Sequence, residues 1–389
     1  MIRICVLTAT RAEYGLLNPI IKKMNNDPAF DVKVVVTGAH LSPEFGMTIK
    51  DIIDDGVDID KKIEILMSSD TSVAISKSMG LAMISFAEYF EELKPDALMV
   101  LGDRYETLAV CCAAMNAKIP IIHLHGGETT EGAVDEAVRH AITKMSYLHF
   151  TSTEEYRRRV IQLGENPNNV FSVGAMGVEN ALNIPLIDRK ELEESLGCSL
   201  GEKYAVGTFH PVTLEECSAE KQTLALMNAI RQYPEITFLF TKANADANGR
   251  VINQILQEYS TQYKNLLVYD SLGMRRYLSA IQNAEFVIGN SSSGLIEVPS
   301  FKIPTINIGD RQKGRIQGNT VINCQPNQKD ICAAIDRAME KSFRETLQTS
   351  KNPYGRGDTS DRIIEVTRKT FIERKVELKK TFFDIDYVL

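Results

Sequence analysis

Ala97-Leu98-Met99-Val100-Leu101-Gly102-Asp103-Arg104-Tyr105-Glu106 sets the fold class. Five consecutive apolar residues give way at once to glycine and charge. A strand apolar on both faces belongs inside a parallel sheet, and the polar residues past its carboxyl end stand where open α/β sheets receive ligands. Just upstream, Pro95 disfavours helix at Lys94 and closes the stretch Ser69–Lys94. There Ile75, Met79, Ala82, Phe86, Phe90 and Leu93 step by threes and fours, predicting a helix with one apolar face, capped by Ser69 or Asp70.

The same alternation runs outward in both directions. Further strands are predicted at Arg3–Leu7, Lys33–Thr37, Ile119–Leu124, Leu148–Thr151 and Val170–Val173. A second series follows at Tyr204–Phe209, Ile236–Phe240, Leu266–Tyr269, Phe286–Ile288 and Thr305–Ile308. A polar segment, about Ile184–Lys203, separates the two series. The pattern implies an α/β chain of two Rossmann-like domains facing a cleft, residues 1–180 and 181–358. The remaining segment, 359–389, with a helix at about Thr359–Arg374, is expected to pack back on the first domain, although pattern alone leaves either open.

Composition narrows the function. The 389 residues exceed one ordinary core, and 44% hydrophobic with 24% charged residues is the balance of a globular protein. A net charge of −7 argues against a broad basic footprint for nucleic acid, so any anionic ligand must be held by local Arg, Lys and backbone N–H groups. Seven scattered cysteines without a C-x-x-C pair argue against structural zinc and for a reducing compartment. Met1–Leu7 turns polar too soon for a signal peptide, and no apolar run reaches the roughly 18 residues of a membrane span. A cytoplasmic protein without membrane contact is expected.

Chemistry-bearing residues gather after the strands. Thr8–Gly15 lacks a G-x-G-x-x-G turn, but Arg11 there could reach an anion; a solvated loop arginine is the bland alternative. Asp103 is placed as an acid or base, unless it caps a helix or pairs with Arg104. In His123-Leu124-His125-Gly126-Gly127-Glu128, period-2 spacing puts both histidines on one strand face, with the glycines freeing backbone beside a ligand. Asp135, Glu136, Arg139 and His140 follow. These crowded titratable groups read as acid/base machinery better than as a metal site, with a core histidine the alternative at His123.

In the second half, His210-Pro211 repeats the strand-end logic. Gly289-Asn290-Ser291-Ser292-Ser293-Gly294 sits between strand and helix, where exposed N–H groups suit phosphate; a plain turn is the alternative. Glu297, one turn into that helix, could accept from a ribose diol. Arg311, Lys313 and Arg315 put three cations on one loop, enough to offset a diphosphate.

The ordered set of motifs resembles the hydrolysing UDP-N-acetylglucosamine 2-epimerases of sialic-acid biosynthesis over nearly the whole chain. The carrying segments are Thr10–Gly15, Thr37–His40, Gly102–Arg104, His125–Glu128, Asp135–Lys144, His210–Thr213, Gly289–Pro299 and Gly309–Arg315. The resemblance implies a glycosyltransferase-B-like pair of domains with UDP held mainly by the second, no metal or redox cofactor, and a homo-oligomer, dimer or tetramer. It implies that a base removes the C2 proton, UDP departs from C1, and water adds to a 2-acetamidoglucal to release N-acetylmannosamine. Asp103 and Asp135 match the family's catalytic carboxylates. His210, Ser291, Ser292, Glu297 and Arg311, with Arg11 and Arg104, match nucleotide contacts; Asn244 and Asp246 match the loop lining the sugar. Where many relatives carry a glutamate, this chain has His125, so His125 or Glu128 takes that role, and the loop Thr129–Val134 is one residue longer. The same departure fits a 4-acetamido-4,6-dideoxy sugar of the legionaminic-acid route. A non-hydrolysing epimerase, a glycosyltransferase of the same fold and a non-catalytic nucleotide-sugar-binding regulator are the competing readings.

Overall fold

The computed structural model describes residues 1–67, 69, 71–129, 135–212, 218–243, 249–373 and 376–386. Contacts divide the chain into two compact units: residues 1–128, 134–180 and 357–389 form one, and residues 129–133 with 181–356 form the other.

The first unit holds β1 (Ile2–Thr8), β2 (Phe30–Thr37), β3 (Ile59–Ile63), β4 (Ala97–Leu101), β5 (Ile121–Leu124), β6 (Leu148–Thr151) and β7 (Val170–Ser172). They form one sheet in the order β3-β2-β1-β4-β5-β6-β7, parallel at every pairing. Successive residues of the inner strands serve opposite faces. Ile4 and Val6 pack with Leu17, Ile20 and Ile363 on one side, whereas Cys5 and Leu7 pack with Phe86, Phe90 and Val110 on the other. That two-sided burial is why these strands read as unbroken apolar runs.

The Ser72–Leu93 helix is capped by Thr71, whose side chain accepts the Ala74 N–H, and not by Ser69 or Asp70; the latter lies outside the described residues. It ends at Lys94, left-handed at φ 47° ahead of Pro95. At the carboxyl terminus the helix Thr359–Arg368 and a wider turn, Lys369–Glu373, pack in the first unit. Residues 376–386 carry no regular structure.

The second unit holds β8 (Lys203–Thr208), β9 (Ile236–Thr241), β10 (Leu266–Tyr269), β11 (Val287–Gly289), β12 (Thr305–Ile308) and β13 (Val321–Cys324). Their order, β10-β9-β8-β11-β12-β13, repeats the winding of the first sheet and is again parallel. In each sheet the strand order reverses between its first and fourth strands, β1/β4 and β8/β11. Ligands of such sheets bind outside that point. Gly289 closes β11 at φ 138°, and a Cβ there would stand 2.0 Å from the Thr208 carbonyl oxygen, so only glycine lets β11 lie against β8.

Candidate active site

Past β1, Thr10 and Glu13 form a capping box that starts the Arg11–Asn25 helix. Glu13 Oε2 accepts the Ala9 and Thr10 N–H groups at 2.8 and 3.0 Å. Burial pushes its carboxyl up to about 7, against the pull of nearby Arg104. Arg11 is exposed on the first turn of that helix. From the T-G-x-H segment, His40 Nε2 meets Thr8 Oγ1 at 3.0 Å, and burial lowers its pKa to about 4.

Past β4, Asp103 does not pair with Arg104. Its Oδ2 receives a hydrogen bond from Arg139, a fully buried guanidinium on the Asp135–Met145 helix. Arg139 also donates to the Glu128 carbonyl at 2.8 Å and to Glu136 at 2.7 Å. Asp135 opens the same helix one turn earlier. Arg104 turns to buried Glu106, 2.9 Å away.

Past β5, period-2 spacing fails. The strand ends at Leu124, and His125 is left-handed at φ 65°, so His123 and His125 do not share a face. His123 is a core histidine. Its Nε2–H donates to the Gly102 carbonyl at 2.9 Å, and Thr143 Oγ1 lies 3.3 Å from Nδ1; burial holds its pKa down at about 3. His125 Nε2 accepts the Met176 N–H at 3.4 Å, which leaves its proton on Nδ1, 3.4 Å from Glu128 Oε1. Ser152 donates to that same oxygen at 2.9 Å. Packing requires both glycines: a Cβ on Gly127 would meet the Tyr156 carbonyl oxygen at 2.5 Å, and one on Gly126 would meet the His123 ring at 3.1 Å.

The second unit builds a different kind of site. His210 lies two residues past β8, and Asn290 one residue past β11. Asn290 Oδ1 accepts the His210 N–H at 2.7 Å, and its Nδ2 donates to the His210 carbonyl at 2.8 Å. The Asn290 carbonyl in turn accepts from Arg311 at 3.2 Å and Gln312 at 2.8 Å. Burial and the Arg311 charge hold the His210 ring neutral, its pKa down at about 3. Its Nδ1 is buried without a hydrogen-bond partner among the described residues. Ser291 and Ser292 precede a helix of four residues only, Ser293–Ile296, so Glu297 ends that helix and does not lie one turn inside it. Arg315 stands farther along the Arg311 loop, its N–H on the Gln312 carbonyl at 3.2 Å. Asn244 and Asp246 lie outside the described residues. Among the described residues no three His, Cys, Asp or Glu side chains gather as a metal ion requires.

Glu13 and Gln312 were not singled out by sequence reasoning; Arg139 was read among the crowded titratable groups, but not as the partner of Asp103, and Asn290 within its loop, but not as the clamp on His210. Arg139 carried a legible signal, its place four residues after Asp135 on a helical pattern.

Two parallel sheets, each with polar residues gathered past its strand ends, define an α/β protein of glycosyltransferase-B-like fold. The chain belongs to the UDP-N-acetylglucosamine 2-epimerase family, whose profile matches residues 22–368. It is 41% identical to a GDP/UDP-N,N'-diacetylbacillosamine 2-epimerase (hydrolyzing) of Campylobacter jejuni, over 98% of this chain and 99% of that one. It is equally 41% identical to the polysialic acid biosynthesis protein P7 of Escherichia coli, over 99% and 98% of the two chains. Among solved structures, the UDP-GlcNAc 2-epimerase of Neisseria meningitidis bound to UDP-GlcNAc superposes with a TM-score of 0.82 at 20% identity, over 95% of this chain and 100% of that one. No helix among the described residues is long and apolar enough to cross a membrane.

Proposed function

We propose that this chain catalyses hydrolytic 2-epimerisation of a UDP-linked 2-acetamido sugar, with UDP-N-acetylglucosamine as substrate. The observation that carries the reading is the Asp103–Arg139 pair at the β4 end, on the helix that Asp135 opens. A carboxylate fixed by a buried guanidinium keeps its lone pairs aimed, as proton abstraction next to an acetal carbon requires. In the first step Asp103 takes the C2 proton, the C2–H electrons form the C1–C2 double bond, and the C1–O bond breaks with its electron pair leaving on UDP. The Asn290–Arg311 loop and His210 stabilise that departing charge. In the second step water gives its oxygen to C1 and a proton reaches C2 from the opposite face. Asp135 and the His125–Glu128 pair serve that step. The net change is sugar nucleotide plus water to UDP plus the 2-epimeric free sugar.

A second reading keeps the chemistry and changes the sugar to UDP-N,N'-diacetylbacillosamine. The name of the Campylobacter relative favours it. One experiment addresses both: proton NMR of each sugar nucleotide with the enzyme in deuterium oxide. Free UDP and a 2-epimer deuterated at C2 from UDP-N-acetylglucosamine are expected. Turnover of the diacetamido sugar alone selects the second reading. An accumulating UDP-linked epimer selects the non-hydrolysing reaction, and binding without turnover of either sugar selects a regulator.

A further inference from the structure

The Asp135–Met145 helix is held at its far end by a part of the chain more than 230 residues away. Lys380 Nζ donates to the carbonyls of Lys144 and Ser146 at 2.9 and 2.7 Å, and to Glu165 Oε2 at 2.6 Å. An ammonium has three protons, and all three are spent here. The two carbonyls lie at the helix's carboxyl end, where main-chain acceptors lack helical partners and positive charge is favoured.

The receiving group is itself built in. Glu165 is 2% exposed, and its other oxygen accepts from Lys144 at 2.6 Å. Fully buried His149 of β6 meets Oε2 at 3.0 Å. Burial alone would raise the Glu165 pKa, but bonds from His149, Lys144 and Lys380 hold it down at about 2. Two residues on, the Phe382 ring lies where a Cβ on Gly164 would be, 2.2 Å from its nearest carbon, and 5.1 Å under the Lys144 ammonium. The Phe383 N–H closes the strap on the Gly164 carbonyl at 2.9 Å.

We propose that Lys380 is a positioning residue for the reaction. It fixes the carboxyl end of the helix whose opposite end carries Asp135 and whose Arg139 aims Asp103, an arrangement that rests on the functional reading above. The helix is a rigid rod of about 16 Å, so a shift at its anchored end is felt at the acids.

The test uses the full chain with Lys380→Met, Lys380→Arg and Phe382→Ala. In Lys380→Met, kcat for UDP release is expected to fall about tenfold or more, with KM and the UDP dissociation constant unchanged and more glucal escaping as product. Lys380→Arg restores most of kcat, and Phe382→Ala gives a smaller loss. Amide hydrogen exchange is expected to quicken along residues 136–146 in Lys380→Met. A lowered Tm with normal kcat in Lys380→Met, or in Phe382→Ala should the former not fold, overturns the proposal. So does unchanged exchange at 136–141. Absence of turnover in the wild-type enzyme overturns the functional reading instead, and the exchange measurement still decides whether Lys380 positions the helix.

Discussion

Asn290 grips His210 by both main-chain groups, 2.7 Å on the N–H and 2.8 Å on the carbonyl, from 80 residues away. The same residue offers its main-chain carbonyl to Arg311, so one residue sets two strand-end loops at once, one through its side chain and one through its backbone. Asn290→Ala leaves two buried backbone groups unpaired and is expected to cost about 2–4 kcal/mol, read by urea denaturation. UDP affinity should fall with it by calorimetry. Arg311→Ala should weaken UDP binding more than Ser292→Ala, because a guanidinium makes charge-assisted bonds to phosphate. Unchanged UDP affinity in all three variants removes the loop from the nucleotide site.

Asp103→Asn keeps the shape of the side chain and removes the base. UDP release from the sugar nucleotide is expected to drop about 10²-fold or more, while UDP itself binds as before. Asp135→Asn should instead let glucal accumulate in the medium, detected by its vinyl proton. Near-normal turnover of Asp103→Asn would make that carboxylate a helix tether for Arg139 and nothing more.

Glu13 makes stability depend on pH. Its carboxyl titrates near 4.5 when unfolded and is pushed up to about 7 in the fold. A raised acid pKa means that the folded state prefers the proton. This contribution is therefore complete below pH 4.5 and is lost as pH rises through about 7. Glu13→Gln keeps an oxygen for the Ala9 and Thr10 N–H groups and should erase this slope. Urea unfolding of both proteins at about pH 5 and about pH 8 checks it; parallel behaviour would assign Glu13 an ordinary, ionised carboxylate.

Gly289→Ala drives a Cβ into the Thr208 carbonyl at a left-handed φ. A loss of at least about 3 kcal/mol is expected from strain and overlap together. A melting temperature within about 2 °C of wild type would show that β11 can part from β8 at little cost.

The inner strands were legible because burial on both faces writes itself as an apolar run, as at Ala97–Leu101. The edge strands β3 and β13 were not predicted: Ile59-Asp60-Lys61-Lys62-Ile63 and Val321-Ile322-Asn323-Cys324 border solvent and carry polar residues accordingly. Strand alternation likewise could not foresee His125, because the period ends on a single left-handed residue that is not itself glycine, one position ahead of Gly126-Gly127. Candidate residues at strand ends, such as Asp103, could be named from position alone. Their partners could not, since Arg139 is 36 residues from Asp103 and local spacing carries no record of that approach.

The repeated winding of the two sheets has an evolutionary consequence. Equivalent addresses in each sheet, the loops after the first and fourth strands, hold Glu13 and Asp103 in one copy and His210 and Asn290 in the other. On the function proposed above, preference for the leaving nucleotide and preference for the sugar then rest on separate stretches of chain, and a lineage can revise either one without rewriting the scaffold of its counterpart.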